Sequence, residues 1–160
     1  MAGYWDLIEP VWEQISIYDG PAVYLEGIRA VPEHVGLLFA AQWTYAETAN
    51  GGFCQFFLNS TGVVAPEAVR GFRAIGQLDT AAIVERAMAH FGPVYPRDGR
   101  ERNALMQTSP DPSVYKHDPS FDALDKEMWR LVAEEAGGFE AAADRYAKLS
   151  LGETAGPDVL

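Results

Sequence analysis

The chain has 160 residues, the size of one domain, and 48% of them are hydrophobic, which excludes a disordered acidic tail. A formal net charge of −11 excludes a general affinity for nucleic acid or anionic membrane and favours a basic partner. The single cysteine, Cys54, excludes an internal disulfide and suits a reducing compartment. The start, MAGYWDLIEPVW, lacks a positively charged leader region, and the most apolar run, Val35 to Ala41, is far too short to span a bilayer. A cytoplasmic location is expected.

In chain order, Trp5, Ile8, Trp12 and Ile15 recur at helical spacing, with Pro10 inside the pattern as a kink or a second start. Pro21 suits the first turn of a short helix running to Ala30. Pro32 opens a longer helix that ends near Asn50; its apolar residues point in nearly every direction, the mark of a central, buried helix. Pro66 starts another. Asp79 is placed to cap the next, Thr80 to Phe91. Residues 92–119 hold five of the ten prolines and read as loop, with a short helix around Arg100 to Gln107. Asp118-Pro119 reads as a cap with proline at the first position. Phe121, Leu124, Met128, Leu131 and Val132 then form an apolar stripe that Gly137-Gly138 stops, and a last helix runs from Phe139 to about Leu149. The expected architecture is all-α: one compact multi-helix domain over 1–150 with a glycine-broken central helix, and a tail over 151–160.

Charge is uneven along the chain. Residues 1–50 carry seven acids and one base, net −6; residues 51–117 carry six acids and seven bases, net +1; residues 118–160 carry ten acids and four bases, net −6. First and last helices lying side by side would therefore make one acidic face. The candidate partner-binding carboxylates are Asp6, Glu9 and Glu13, which follow the helical period beside the apolar stripe, together with Asp122, Asp125 and Glu134. All six are expected to be exposed.

Catalytic and cofactor signals are weak. His34, His90 and His117 are dozens of residues apart and fit no metal-ligand spacing, so no metal is expected. Cys54 is flanked by Phe53, Phe56 and Phe57, where a thiol is inert. Gly51-Gly52 lacks the rest of a nucleotide-binding loop, and no cofactor is expected. Arg97, Arg100 and Arg102 are interleaved with Asp98 and Glu101 and read as a solvated loop rather than an anion site.

The stretch Asn50-Gly51-Gly52-Phe53-Cys54-Gln55-Phe56-Phe57-Leu58-Asn59 gathers glycines, aromatics and amides. It reads as a corner in the fold. A glycine supplies a left-handed cap, and Phe53, Phe56 and Phe57 share one face of a short new helix. Gln55 and Asn59 share another face, with backbone groups at the broken helix ends as their expected partners. The rival reading is a strand after an Asn-Gly turn.

The run AETANGGFCQFFLNSTG, with the later HDPSFDALDKEMWRLVAEEAGGFEAAADRYAKL, resembles a bacterial family of small acidic proteins whose type member is a DNA mimic; the resemblance covers most of residues 4–149. It implies an all-α fold, a homodimer, and carboxylates placed like DNA phosphates on the binding face of a basic DNA-binding protein, a regulator or nucleoid protein. The non-enzymatic alternative is an interaction or immunity-type module that neutralises a protein without imitating DNA. An enzyme would need a deep polar pocket holding a base and a nucleophile in contact.

Overall fold

A computed structural model describes residues 3–108, 111 and 117–152. Among them all regular structure is helical. The helices are α1 (Tyr4–Ile8), α2 (Pro21–Arg29), α3 (Glu33–Leu58), α4 (Ala65–Ala74), α5 (Leu78–Met88), α6 (Gly99–Leu105), α7 (Asp122–Glu134) and α8 (Phe139–Ser150), with 3-10 turns between several of them. Of the tail expected over 151–160, only Leu151 and Gly152 are described.

The central helix is α3, and its apolar side chains explain why. Val35, Leu38, Phe39, Ala40 and Ala41 are all buried, so the helix is covered on most sides. α4 and α7 pack along it, and α1, α6 and α8 add further cover. α4 approaches closely because of Gly71: a Cβ there would lie 2.4 Å from the Leu37 carbonyl oxygen.

Pro10 does more than kink the first helix. α1 stops at Ile8, and Pro10 sits in a separate 3-10 turn, Glu9–Val11. The stripe survives the break: Ile8 and Ile15 are buried, and Trp12 stacks on Trp43 of α3 with centroids 4.7 Å apart. Trp5, 41% exposed, leans on Trp12 from outside.

Two sequence expectations are corrected. Asp79 does not cap α5; it is exposed, and the cap comes from the far end of α7. The Glu135 carboxylate accepts from the Asp79 and Thr80 amides at 2.7 and 2.8 Å and from Thr80 Oγ1 at 2.6 Å. Burial raises the Glu135 pKa, but these bonds outweigh it and hold the group below its ordinary range. Nor is the arginine cluster a solvated loop. Arg102 is fully buried, and its guanidinium donates to the carbonyls of Phe57, Asn59, Pro96 and Arg97. Arg97 is half-buried and donates to both oxygens of Glu67 at 3.0 Å. Arg100 alone of the three stays exposed.

Candidate partner-binding surface

The corner forms where the sequence sets it. Gly51 and Gly52 leave helical geometry, and α3 becomes two arms, 33–50 and 53–58. Gly52 has φ +69° and ψ −171°, a conformation essentially reserved for glycine. Phe53, Phe56 and Phe57 are fully buried on the second arm, and Phe57 packs against Phe91 and Phe121. The stretch is helical, not a strand.

What holds the corner comes from α7. Asp125 Oδ1 accepts from the Phe53 amide at 2.8 Å, capping the second arm. Trp129, one turn further along α7, donates its indole N–H to the Thr48 carbonyl at 2.7 Å, near the end of the first arm. An i, i+4 pair on one helix thus staples both sides of the break. Asp125 is consequently buried, 7% exposed, and not the surface carboxylate expected. Desolvation raises its pKa; the Phe53 amide and His117 oppose the rise, and Asp122 adds to it. The signal lay in its spacing: Phe121, Asp125, Met128 and Val132 recur at intervals of four, three and four, an inward-facing set.

The amides of the corner are also held differently from the expectation. Gln55 Nε2 and Asn59 Nδ2 both donate to Glu47 Oε2, at 3.2 and 3.0 Å, so a carboxylate of the first arm bridges to the second in place of the free backbone ends. Cys54 is buried beside them, and burial pushes its thiol pKa up, as expected for an inert core cysteine. Among the described residues, no group of three or more His, Cys, Asp and Glu is arranged to hold a metal ion. No helix among them is long and apolar enough to cross a membrane.

The corner points inward, and the exposed charge lies elsewhere. The first and last helices do pack together. The Tyr4 amide donates to Asp144 Oδ1 at 2.8 Å, and the Tyr4 ring meets Phe139 edge-on at 5.7 Å. Asp6 caps its own helix, accepting from the Gly3 amide at 2.8 Å, and is otherwise exposed. Glu9 and Glu13 are exposed, as is Glu140 in the first turn of α8. The local field is negative: burial first, then Glu140, Tyr45 and Asp144, push the Tyr4 phenol up to about 12. Glu140, which charge counting alone does not single out, thus joins Asp6 at the α1–α8 edge, while Glu9 and Glu13 lie on the turns past the end of α1.

The α7 carboxylates are a different set. α7 packs chiefly on α3 and α5 rather than on α1. Asp122 and Glu134 are exposed, but each has a partner: the His117 imidazole lies 2.9 Å from Asp122, and the Arg130 guanidinium lies 3.4 Å from Glu134. On α4, Arg70 and Arg73 pair with Glu33 and Glu85.

The model of the DMP19-like protein family matches residues 29–149. The chain belongs to this family. No curated protein matches it, and no solved structure does. The family match takes in the whole corner and its staple: Asn50, Gly51, Gly52, Phe53, Gln55, Asn59, Asp125 and Trp129. It begins after α1, a shorter span than the resemblance over most of 4–149 suggested. Asp6, Glu9 and Glu13 lie outside the part that defines DMP19-like membership; Asp122, Glu134, Glu140 and Asp144 lie inside it.

Proposed function

We propose that the protein is a non-enzymatic DNA mimic that occupies the DNA-binding face of a basic regulator or nucleoid protein in the cytoplasm. Membership of the DMP19-like family supports the class of function. The observation that carries the site is the α1–α8 edge, where Asp6 and Glu140 are exposed on packed, mutually anchored helices, with Glu9 and Glu13 exposed on the turns that follow α1. Binding to DNA is dominated by phosphate contacts and falls steeply with salt, so a rigid group of carboxylates competes for the same lysines and arginines. A homodimer belongs to the same proposal, since a second copy would present a second edge to a two-fold symmetric DNA-binding protein.

The test is competition. Basic DNA-binding proteins captured from cells at low salt are mixed with labelled duplex DNA and increasing amounts of the protein. Wild type is expected to displace the DNA, and its affinity to fall with salt. A variant carrying Asp6→Asn, Glu9→Gln, Glu13→Gln and Glu140→Gln is expected to bind less tightly and with a shallower salt slope, because exposed pairs contribute roughly 0.2–1 kcal/mol each and are screened by salt. A ternary complex with DNA still bound would exclude mimicry. Unchanged affinity and slope in the variant would move the interaction to the cleft of about 690 Å³ lined by Tyr45, Trp129, Val132 and Phe139, where Trp129 is 47% exposed. That outcome is the interaction module without mimicry.

A further inference from the structure

A second cleft, of about 380 Å³, lies among α2, the start of α3 and the start of α4. Leu25, Ile28, Val31, Leu37 and Pro66 make its wall apolar, and Arg29, Arg70 and Arg97 stand around it. The size and the mixture suit a small-molecule site. Its charge runs against the rest of the chain: three arginines meet two carboxylates, Glu33 and Glu67, in a protein of net charge −11.

Both carboxylates are already engaged, and the arginines have capacity to spare. Arg70 holds Glu33 through Nη2. Arg97 uses Nη1 alone to reach Glu67 and the Val63 carbonyl, which leaves Nε and Nη2 with no partner among the described residues. Arg29 is exposed and forms no ion pair among them. A guanidinium carries five N–H donors in a planar fork that matches a carboxylate. Behind the Arg97–Glu67 pair lies Tyr24, fully buried, whose hydroxyl has no partner among the described residues. Burial first, and then Glu67, push that phenol's pKa up while Arg97 opposes the rise, which sets the hydroxyl beside the pair as a neutral donor.

We propose that this cleft binds a small amphipathic carboxylate, with an acyl or aryl body against Leu25, Ile28 and Leu37 and its carboxylate on Arg29 and Arg70. The arginine donors left over supply the anion site, and the apolar wall excludes inorganic anions as the natural occupant. The site lies on α2 to α4, and none of Asp6, Glu9, Glu13 and Glu140 lines it.

The experiment titrates octanoate and, separately, octanamide into the ¹⁵N-labelled full chain and follows the amide shifts. Octanoate is expected to saturate one site, with shifts concentrated at residues 25–37 and 66–70, and to bind about tenfold or more tightly than octanamide. The double variant Arg29→Gln/Arg70→Gln is expected to lose that preference while keeping the wild-type melting temperature within a few degrees. Arg100→Gln, outside the lining of this cleft, is expected to bind octanoate normally. No saturable shift up to about 10 mM octanoate, a range in which even millimolar sites register, would overturn the proposal. So would equal binding of the acid and the amide, or shifts confined to the cleft around Trp129. If the double variant melts early, Arg29→Gln alone decides: unchanged octanoate affinity in that variant excludes the arginine site.

Discussion

The corner at Asn50–Asn59 and the edge between α1 and α8 are both rich in polar groups, and they use them in opposite ways. At the corner the polar groups are mostly turned to another part of the chain: Asp125 to the Phe53 amide, Trp129 to the Thr48 carbonyl, Gln55 and Asn59 to Glu47, while Asn50 stays exposed. At the edge and on the turns that follow α1, Glu140, Glu9 and Glu13 are exposed and have no hydrogen-bond or ion-pair partner among the described residues. Inward satisfaction holds a fold together; outward charge without a counter-ion is capacity for a partner. The family match follows the first and begins only after the three carboxylates of the second at positions 6, 9 and 13. The motif therefore identifies the scaffold, and the surface that scaffold presents has to be argued from charge.

The comparison breaks most sharply at Gly52. A Cβ there would lie 2.4 Å from Asp125 Oδ2, on a backbone with φ +69°. Gly52→Val adds strain of roughly 1–3 kcal/mol to a clash costing about as much again, so a loss of about 2–6 kcal/mol is expected in urea unfolding. Partner affinity, measured on whatever fraction remains folded, should be unchanged. A wild-type melting temperature in Gly52→Val would show that the corner is not a constrained element.

Asp125 gives a smaller effect with a sign that depends on pH. Asp125→Ala leaves the buried Phe53 amide unpaired and should cost about 1–3 kcal/mol. Asp125→Asn keeps an acceptor and removes the charge. Because the folded pKa of Asp125 is raised, the folded protein holds a proton that the unfolded chain has already released. Stability from this group is therefore highest at low pH and falls as pH rises from about 3.9, the ordinary value, through the folded one. Asp125→Asn should match wild type in acid and equal or exceed it near pH 7. The depressed pKa of Glu135 works the other way in both proteins, so it cancels in the difference. A wild-type advantage over Asp125→Asn that grows with pH would mean that the carboxylate charge stabilises the corner.

What could be read from the sequence was what depends on near neighbours. The proline-started helices, the glycine break, the Phe53/Phe56/Phe57 face and the Gly137-Gly138 stop all follow from residues within a turn of one another. What escaped depends on distant parts of the chain. Arg102 is buried only because Phe57, Asn59, Pro96 and Arg97 bring their carbonyls to one point. Glu135 caps a helix that begins more than fifty residues earlier. Asp125 was legible nearby: its position in the inward set with Phe121, Met128 and Val132 outweighs its charge once Phe53 offers a partner. The edge was half legible. Sequence placed the charge at both ends of the chain, but the contacts of Tyr4 with Asp144 and Phe139 are what join those ends and add Glu140.

The smallest stability effect belongs to the edge, and that smallness is the sharpest form of the comparison. Asp6→Asn keeps an oxygen for the Gly3 amide, and Glu9, Glu13 and Glu140 are exposed without an ion pair among the described residues. Removing four like charges from one side of a protein of net charge −11 also relieves repulsion. The quadruple variant should therefore unfold within about 0.5 kcal/mol of wild type at physiological salt, with any difference in its favour and shrinking as salt rises. Its helix content should be unchanged by circular dichroism. Had these carboxylates been structural, as Asp144 and Glu135 are, their loss would strip caps at about 1 kcal/mol apiece, and the sum would be plain in a denaturation curve. A variant destabilised by several kcal/mol would place the edge with the corner, as part of the scaffold, and the surface available to a basic partner would have to be sought on α7.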